Sequence, residues 1–565
     1  MLSIELPPFL LFYLGAILAG LCQGRVRAAA LLGTIALSAV NLWQLPENYT
    51  VLASFMGLEL TPVKLDNLNL LFGYLFHIAA LIGVIYSLHV QDRVQQSAAM
   101  LYAGSALGAV FAGDLLTLFL FWEMLALSSV FLVWARGTDR AYSAGMRYLI
   151  LQVVSGLLLL AGIIIHYQNT GSLEFTYIGL EGLAAWLIFI AFGIKCAFPG
   201  FHTWLTDAYP EATPTGTVFL SAFTTKVAIY AMARAFPGTE LLVTIGAVMA
   251  CFPIFFAVIE NDLRRVLAYS LINQLGFMII GIGIGTELAI NGAVAHAFND
   301  VIFKGLLFMS MGAVLYRTGR INGSELGGLY KSMPKTAILC IVGAASISAF
   351  PLFSGFVSKS MIMSAALKEG YDITWLLLLF ASAGVFHHAG IKIPYFAFFA
   401  HDSGIRCKEA PRNMLLAMSI AAALCIGIGS FPNLLYQHLP YSTNYSAYDL
   451  THILTQTQLL FFSALAFVWL NLKGMYPPEL PSTNLDSDWF YRRPLARLVK
   501  GSLSLMWALD QQVRGQAMIV IKAFGKRVAT LYRPNEGLLA REISISSMVA
   551  WMCGLLAVIL LMSFV

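Results

Sequence analysis

The chain has 565 residues, of which 59% are hydrophobic and only 11% are charged, with a formal net charge of +5 and a mean hydropathy of +0.77. A soluble domain is usually about 45–50% apolar and about 25% charged, so this composition excludes a soluble globular protein. It predicts an all-α, polytopic protein of a cell (inner) membrane and gives no reason to expect a nucleic-acid partner.

Apolar stretches long enough to cross about 30 Å of hydrocarbon recur along the chain. The first stretch lacks a basic segment and a small-residue cleavage site, which favours a retained helix over a signal peptide. We predict about 14–16 membrane-spanning helices, and the full set of sixteen is near 8–24, 28–44, 67–91, 97–112, 114–135, 143–167, 182–209, 213–235, 240–260, 266–285, 288–316, 335–367, 373–400, 411–431, 457–472 and 543–564.

The basic residues between these spans predict an orientation. Loops after odd-numbered spans carry fourteen Lys and Arg residues, whereas loops after even-numbered spans carry three. Positive charge accumulates on the cytoplasmic side of membrane proteins. The bias therefore predicts that odd-numbered spans end in the cytoplasm and that both termini are on the outer face.

The segment 480–540 differs from the rest, because it mixes basic and apolar residues at helical spacing. Such a pattern is typical of an amphipathic helix lying on a membrane surface, here the cytoplasmic one. Forty residues of helix would extend roughly 60 Å. An ordinary cytoplasmic loop with short helices fits the pattern equally well. A final transmembrane helix is predicted at 543–565.

Several ionisable residues fall inside the predicted spans. They are Glu123, Lys195, Lys226, His296, Asp300, Lys304, Lys359 and Lys392. A charge at bilayer depth costs at least about 2.5–3.5 kcal/mol, and such residues usually line an ion or proton path. Snorkelling to the interface explains an intramembrane lysine only near a helix end, and it remains an alternative for Lys359 and Lys392. His296, Asp300 and Lys304 recur every four residues and so share one helix face.

Two spans contain helix breakers at bilayer depth, AFPG in the seventh and AFPLFSG in the twelfth. Proline removes a backbone donor and clashes with the preceding turn, so we expect helices 7 and 12 to be discontinuous. Whether Pro199 makes the first break or only lies beside it stays open, because Lys195 is one turn earlier. Irregular backbone inside a membrane is tolerated where it lines a cavity or is buried in protein.

The two breaks lie at corresponding places in spans 4–8 and 9–13, which predicts two inverted five-helix repeats. Lys195 and Lys226 are 31 residues apart, and Lys359 and Lys392 are 33 apart. The predicted organisation has N-terminal transmembrane helices at 1–96, the first repeat at 97–235, the second at 240–400 and C-terminal transmembrane helices at 405–472. The match is imperfect, because Lys195 precedes its proline whereas Lys359 follows its own.

No CxxC pair, GxGxxG loop or GxxxxGK[ST] loop is present. The sequence therefore indicates no iron–sulfur, zinc or nucleotide site, and we expect no bound cofactor or metal.

WEMLALSS around Glu123, the block GIKCAFPGFHTWLTDAYPEATPTGTVFLSAFTTKVAIYAMAR, and FPLFSGFVSKSMI resemble the antiporter-like subunits of respiratory complex I and of Mrp-type cation/proton antiporters. The resemblance covers about residues 60–430. Lysine at 226 resembles the D-type Mrp subunit, and lysine at 359 fits the D-type as well as the most distal antiporter-like subunit of complex I. The surface-helix candidate resembles that distal one of complex I and the A-type Mrp subunit, whereas it is unexpected in the D-type.

The resemblance implies a coupled glutamate–lysine pair followed by a line of proton carriers. These roles fall on Glu123, Lys195, Lys226, His296, Lys304 and Lys359, with Asp300 and Lys392 as further candidates. We expect protons to pass from Lys195 through Lys226 and the His296/Lys304 group to Lys359, with Glu123 as the modulator. Lysines are donors and cannot bind sodium, so a sodium site is expected elsewhere, for example in a partner subunit.

The function expected is that of a proton-translocating, non-enzymatic subunit of a multisubunit Mrp-type Na+/H+ antiporter, with other membrane subunits as partners and protons and Na+ as transported ions. An alternative is the proton-pumping subunit of a complex I-like NADH:quinone oxidoreductase, which would make the chain part of a translocating enzyme. A second alternative is an energising membrane subunit of an inorganic-carbon uptake complex. A structural scaffold is disfavoured by the line of buried lysines.

Overall fold

A computed structural model describes residues 6–46, 48–482, 484–534, 536–539 and 544–563. The chain divides into two compact units, Met1–Asp486 and Ser487–Val565. Within the described residues twelve helices are long and apolar enough to cross a membrane, and three shorter apolar helices accompany them. Together with α4 below, they place a helix in each of the sixteen predicted spans, which confirms a polytopic helical membrane protein.

The first unit begins with three helices that precede the predicted first repeat. They are α1 (Pro8–Leu21), α2 (Gly24–Gln44) and α3 (Asn67–Ser87). Between α2 and α3 lies a hairpin of β1 (Thr50–Phe55) and β2 (Leu58–Lys64), which the sequence analysis had not predicted. Its two-residue turn, Met56–Gly57, has positive φ at both positions, as tight hairpins favour. Thr61 of β2 donates its N–H to Asp114 Oδ2 at 2.7 Å, which fixes the hairpin against the start of α5.

The predicted first repeat contains seven helices because two of its spans are interrupted. They are α4 (Arg93–Phe111), α5 (Leu115–Trp134), α6 (Asp139–Thr170), α7 (Gly182–Lys195), α8 (Thr203–Glu211), α9 (Gly216–Ala222) and α10 (Thr224–Ala235). The seventh predicted span is thus α7 and α8 with an irregular stretch between them. This confirms the predicted discontinuity.

The predicted second repeat contains six helices, because one of its spans is interrupted. Its helices are α11 (Glu240–Ile259), α12 (Leu263–Ile284), α13 (Glu287–Thr318), α14 (Pro334–Ile347), α15 (Ser354–Lys368) and α16 (Asp372–Val385). The twelfth predicted span is divided into α14 and α15, as predicted. After α16 the backbone continues as π-helix over Phe386–Lys392 and Tyr395–Phe399.

The first unit ends with α17 (Arg412–Ser430), the short α18 (Asn433–Tyr436) and α19 (Leu450–Leu472). Buried apolar side chains from α1 through α17 form the main core, and a smaller cluster lies where α11, α12, α15 and α16 meet. Arg264 lies inside this core, fully buried, and donates to the carbonyls of Pro210 at 2.9 Å and Ala212 at 3.0 Å. It thereby supplies hydrogen-bond donors to carbonyl groups at the end of α8 and in the loop before α9, where the backbone carbonyls have no helical partners.

The second unit contains α20 (Asp488–Phe490), α21 (Ala496–Leu531) and α22 (Ile545–Met562). Helix α21 is one continuous helix of 36 residues, roughly 54 Å long at about 1.5 Å per residue, and not a series of short helices. Its described side chains are exposed in this unit, apolar and basic ones alike. Residues 540–543 and 564–565, at the ends of the predicted final span, lie outside the described residues.

Candidate functional site

The first break is made by the backbone after Lys195 rather than by Pro199. Helix α7 ends at Lys195, and Ala197 adopts the left-handed conformation with φ of 59°. Ala197 N–H donates to Ile194 O at 3.1 Å and Phe198 N–H donates to Gly193 O at 3.0 Å. These two bonds form a Schellman motif, with alanine at the position that glycine usually occupies. Pro199 lies beyond the motif and keeps the helix from resuming.

The second break has the same geometry. Helix α14 ends at Ile347, and Ala349 has φ of 58°. Ala349 N–H donates to Ser346 O and Phe350 N–H to Ala345 O, both at 3.0 Å. The two alanines occupy equivalent positions in the sequences AFPG and AFPL. The correspondence of the two repeats therefore extends to individual backbone hydrogen bonds.

Lys195 is the last residue of α7 and is fully buried. Its Nζ donates to Trp122 O on α5 at 2.5 Å and lies 4.4 Å from the centre of the Trp122 ring. A cation in the last turn of a helix is favoured by the helix dipole, and the ring face adds a cation–π attraction. The protein therefore stabilises an ammonium here without a carboxylate in direct contact.

Glu123 lies next to Trp122 on α5 and is packed against Gly156 of α6, where an added Cβ would overlap the Glu123 carboxylate. Among the ion pairs of the described residues, none joins Glu123 to Lys195, and Glu123 Oε1 is buried without a hydrogen-bond partner. Trp122 Nε1 donates to Ser155 Oγ at 3.0 Å, and Ser155 donates to Ala191 O at 2.7 Å. These bonds hold the helices of Glu123 and Lys195 together while the carboxylate stays free.

Lys226 of α10 and Asp300 of α13 form the ion pair that connects the two predicted repeats. Lys226 Nζ lies 2.5 Å from Asp300 Oδ2, and both side chains are completely buried. Lys226 also donates to Ser221 O at 3.3 Å, at the end of α9 where α10 begins. The sequence analysis treated Asp300 only as a further candidate, whereas the structure makes it the direct counter-ion of Lys226.

His296 belongs to a directional series of buried hydrogen bonds. Asn273 of α12 donates to Ala250 O, Gln274 Nε2 donates to Asn273 Oδ1 at 2.6 Å, and Gln274 Oε1 lies 3.1 Å from His296 Nε2. Because the amide oxygen only accepts, Nε2 carries the hydrogen. Ser358 Oγ lies 3.0 Å from Nδ1. These contacts hold the His296 ring between α12 and α15.

Lys304 and Lys359 are the other buried cations of the second repeat. Lys304 Nζ donates to Ser270 Oγ of α12 at 2.8 Å. Lys359 Nζ donates to Ile347 O, the last residue of α14, at 2.8 Å, and lies 5.0 Å from the centre of the Phe277 ring. Lys359 therefore reaches back across the break and places its ammonium at the carboxyl end of the helix that has just stopped. It does not snorkel, since it is 2% exposed.

Lys392 lies apart from this line. Its Nζ pairs with Glu479 Oε1 at 2.8 Å and donates to Val258 O and Glu260 O at the end of α11, each at 2.7 Å. Glu479 is in the segment between α19 and α20, far along the chain. In the same segment Asp486 lies 3.1 Å from His202 Nε2 and accepts from Tyr269. The sequence analysis missed both carboxylates, because a loop residue leaves no periodic signal of the helix that it will meet.

The structure therefore divides the predicted residues into four groups. Glu123 and Lys195 lie in the first repeat, Lys226 and Asp300 join the repeats, and His296, Lys304 and Lys359 lie within the second. Lys392 belongs with Glu479. Among the described residues there is no group of three or more His, Cys, Asp or Glu side chains that could hold a metal ion. The chemistry that the line of residues can perform is the holding and transfer of protons.

The fold and these residues define a polytopic helical membrane protein with two broken helices and buried ammonium groups at the ends of both. Residues 112–386 match the family described as NADH:quinone oxidoreductase/Mrp antiporter, TM. This match confirms the resemblance to the family that was seen in the sequence.

Individual relatives include an antiporter subunit and a hydrogenase component. The chain is 30% identical over 435 residues to the A-type subunit of the Na(+)/H(+) antiporter of Alkalihalophilus pseudofirmus, a match covering 67% of this chain and 53% of that protein. It is 29% identical over 346 residues to hydrogenase-4 component B of Escherichia coli, covering 54% of this chain and 51% of that one. The chain thus spans about half the length of these curated relatives.

A solved structure extends the likeness to almost the whole chain. One chain of the membrane-bound sulfane sulfur reductase, an archaeal respiratory membrane complex, matches with a TM-score of 0.70 and 23% identity. The match covers 99% of this chain and 100% of that one, so the second unit has a counterpart there. At this identity the likeness shows a shared fold.

Proposed function

We propose that this chain is the proton-translocating subunit of a multisubunit Mrp-type Na+/H+ antiporter. The observation that carries the proposal is the Lys226–Asp300 ion pair, which links the buried ammonium of one repeat to the group of carriers in the other. The identity to the A-type subunit of an antiporter supports the assignment.

Three of the buried lysines are held by groups that compensate a positive charge only in part. Lys195 and Lys359 rely on carbonyl oxygens and ring faces, and Lys304 relies on a hydroxyl. Burial disfavours the charged form of a lysine, whereas a nearby carboxylate favours it. Small movements of a carboxylate can therefore decide whether such a lysine holds its proton or passes it on.

Glu123 is the carboxylate that performs this role at Lys195. Opposite charges attract by roughly 4 kcal/mol at about 4 Å and by roughly 2 kcal/mol at about 8 Å, with an effective dielectric constant near 20. The difference corresponds to one to two pKa units, at about 1.4 kcal/mol per unit. Glu123 makes no ion pair with Lys195 in the arrangement described, and its approach would load the lysine. The proton then moves through Lys226, the His296/Lys304 group and Lys359, with water bridging the longer gaps.

The experiment is cation/proton exchange in everted vesicles that contain the assembled complex. Glu123→Ala and Lys195→Ala should each abolish exchange, while Lys331→Ala, which removes a lysine exposed outside the path, should leave it unchanged. Wild-type exchange in both path variants would refute the proposal. We expect the sodium site in another subunit, since the buried groups of this path offer few oxygens and lysines only donate.

A second candidate is the same proton path powered by a redox reaction in partner chains. It is favoured by the coverage of the structural matches, because the respiratory complex chain matches 99% of this chain, whereas a chain of the Mrp complex from Dietzia sp. DQ12-45-1b matches 83% at the same TM-score of 0.70. Identifying the chains that copurify with this one separates the two. Small membrane subunits alone support the antiporter, and quinone reductase or hydrogenase subunits support the redox complex.

A further inference from the structure

A cavity of about 100 Å³ extends from Lys359 between α15, α16 and α19. Its inner end is lined by Lys359 and Ala349 at the second break, and its outer end by Ser364 and His452. A water molecule needs roughly 10–15 Å³ of such volume together with polar partners. The space can therefore hold several waters between the last buried lysine and the start of α19.

The outer end of the cavity is a histidine paired with a carboxylate. His452 Nδ1 lies 2.7 Å from Asp449 Oδ2, and the two side chains are 29% and 49% exposed. His452 Nε2 lies 2.8 Å from Ser364 Oγ, which in turn lies 3.3 Å from Tyr445 OH. The histidine thus touches the solvent on one side and the cavity on the other.

The hydrogen positions follow from the partners. An ionised carboxylate only accepts, so Nδ1 carries the hydrogen that faces Asp449 and Nε2 is left as an acceptor for the Ser364 hydroxyl. Asp449 is fixed in place as the N-cap of α19, where its Oδ1 accepts from Thr451 and His452 N–H groups at 2.6 and 3.1 Å. These backbone bonds to Asp449, that of His452 first, hold the pKa of its carboxyl below its ordinary value. A carboxylate therefore lies directly beside the His452 ring.

We propose that His452, with Asp449 and Ser364, is the outer terminus of the proton path. The inference rests on the proposed function and adds the point at which protons leave the path. Lys359 changes from ammonium to amine as it gives a proton to a cavity water, the water passes a proton to Ser364 Oγ, and the Ser364 hydroxyl gives its own to His452 Nε2. The imidazolium ring then turns so that Nε2 faces the solvent and releases its proton there, while Nδ1 keeps its hydrogen. One proton has moved, and every intermediate carrier is restored once the ring turns back to Ser364.

The charged and titratable groups that face His452 are few. They are Asp449 on its own helix, Lys359 across the cavity and Tyr445, whose ring centre is 6.1 Å away. The predicted topology places the end of α15 and the start of α19 on the outer face, so that the cavity opens in the direction that an exit requires.

The test uses the whole complex in membrane vesicles and measures proton flux. His452→Gln should lower the flux at least tenfold, and imidazole added on the outer side should restore a large part of it. His438→Gln is the matched control, because His438 is exposed in the loop before α19 and does not line the cavity. It should keep the wild-type flux with or without imidazole.

A labelling measurement decides the case if His452→Gln fails to assemble. Thr455→Cys, on the cavity wall, should react with a membrane-impermeant thiol reagent from the outer face of right-side-out vesicles, beyond the background of the seven native cysteines. Absence of added labelling overturns the exit. So does a wild-type flux in His452→Gln, or a loss that imidazole does not relieve. If Lys195→Ala abolishes the flux in the same experiments, only the exit is refuted; if Lys195→Ala is also active, the proposed function itself fails.

Discussion

The ion pair between Lys226 and Asp300 offers the sharpest test of the path, because its energy can be worked out from the structure. Lys226 Nζ and Asp300 Oδ2 are 2.5 Å apart, and both side chains are fully buried. Opposite charges at this distance attract by about 7 kcal/mol at an effective dielectric constant of about 20. The net contribution is much smaller, since both ions lose their hydration. Removing one partner is nevertheless costly, at about 3–5 kcal/mol, because the other charge stays buried and uncompensated.

We therefore expect Asp300→Asn to lower the free energy of unfolding by about 3–5 kcal/mol and to stop proton transport. The double variant Lys226→Met/Asp300→Leu should regain most of the stability, because no buried charge remains, but not the transport. Unfolding in mixed micelles and proton flux in vesicles measure the two effects separately. Asp402→Asn is the matched control, because Asp402 pairs with Lys331 at 2.8 Å on the surface, where such pairs contribute about 0–1 kcal/mol.

Two results would refute this reasoning. If Asp300→Asn is as stable as Asp402→Asn, Lys226 and Asp300 do not form an ion pair in a low-dielectric interior. If the double variant transports protons at the wild-type rate, the pair is structural, and the path between the repeats must bypass Lys226.

Three further predictions concern other parts of the chain. Gly156→Ala should displace the Glu123 carboxylate and lower cation/proton exchange severalfold, whereas Gly427→Ala, with open space at its Cβ, should not change it. Burial raises the pKa of the Glu479 carboxyl above its ordinary 4.5, and Lys392 opposes this shift. The contribution of Glu479 to stability is therefore present below pH 4.5 and is lost as the pH rises through the raised pKa. Glu479→Gln should flatten this part of the stability–pH curve in denaturation measurements. Leu352 is 58% exposed and has φ of 74°, a conformation that costs an L-residue roughly 1–2 kcal/mol. Leu352→Gly should therefore raise the free energy of unfolding by up to about 1 kcal/mol in thermal unfolding experiments. A loss of stability would contradict this prediction.

The sequence predicted the fold and the buried line of charges well, because both depend on local signals. A membrane span is long and apolar, and a charge within it stands out. The breaks near Pro199 and Pro351 were visible for the same reason. Their exact positions were not, because the helices stop just before Ala197 and Ala349, whose backbone is left-handed, and alanine carries no signal for that conformation.

Partners across the fold could not be predicted. Glu479 meets Lys392 over 87 positions of sequence, and nothing in its loop indicates that contact. The same holds for Arg264, which the loop pattern counted as a cytoplasmic charge and which the fold buries completely beneath the loop after α8. The pairing of Lys226 with Asp300 depends on how the two repeats pack, which no spacing within either repeat encodes.

The imperfect match between the repeats also has a physical explanation. In the first repeat the cation is carried by Lys195, the last residue of α7, whereas in the second it comes from Lys359 of the following half-helix and returns to the last carbonyl of α14. Position 347, which corresponds to Lys195, is an isoleucine. Both arrangements place an ammonium at the carboxyl end of a helix that stops inside the protein, where the helix dipole favours a cation by about 0.3–1 kcal/mol, and up to about 2 when partly buried. The two halves therefore share the position of a charge relative to the break rather than the position of a lysine in the sequence, and the carbonyl of Ile347 is the part of the second site that a sequence comparison cannot reveal.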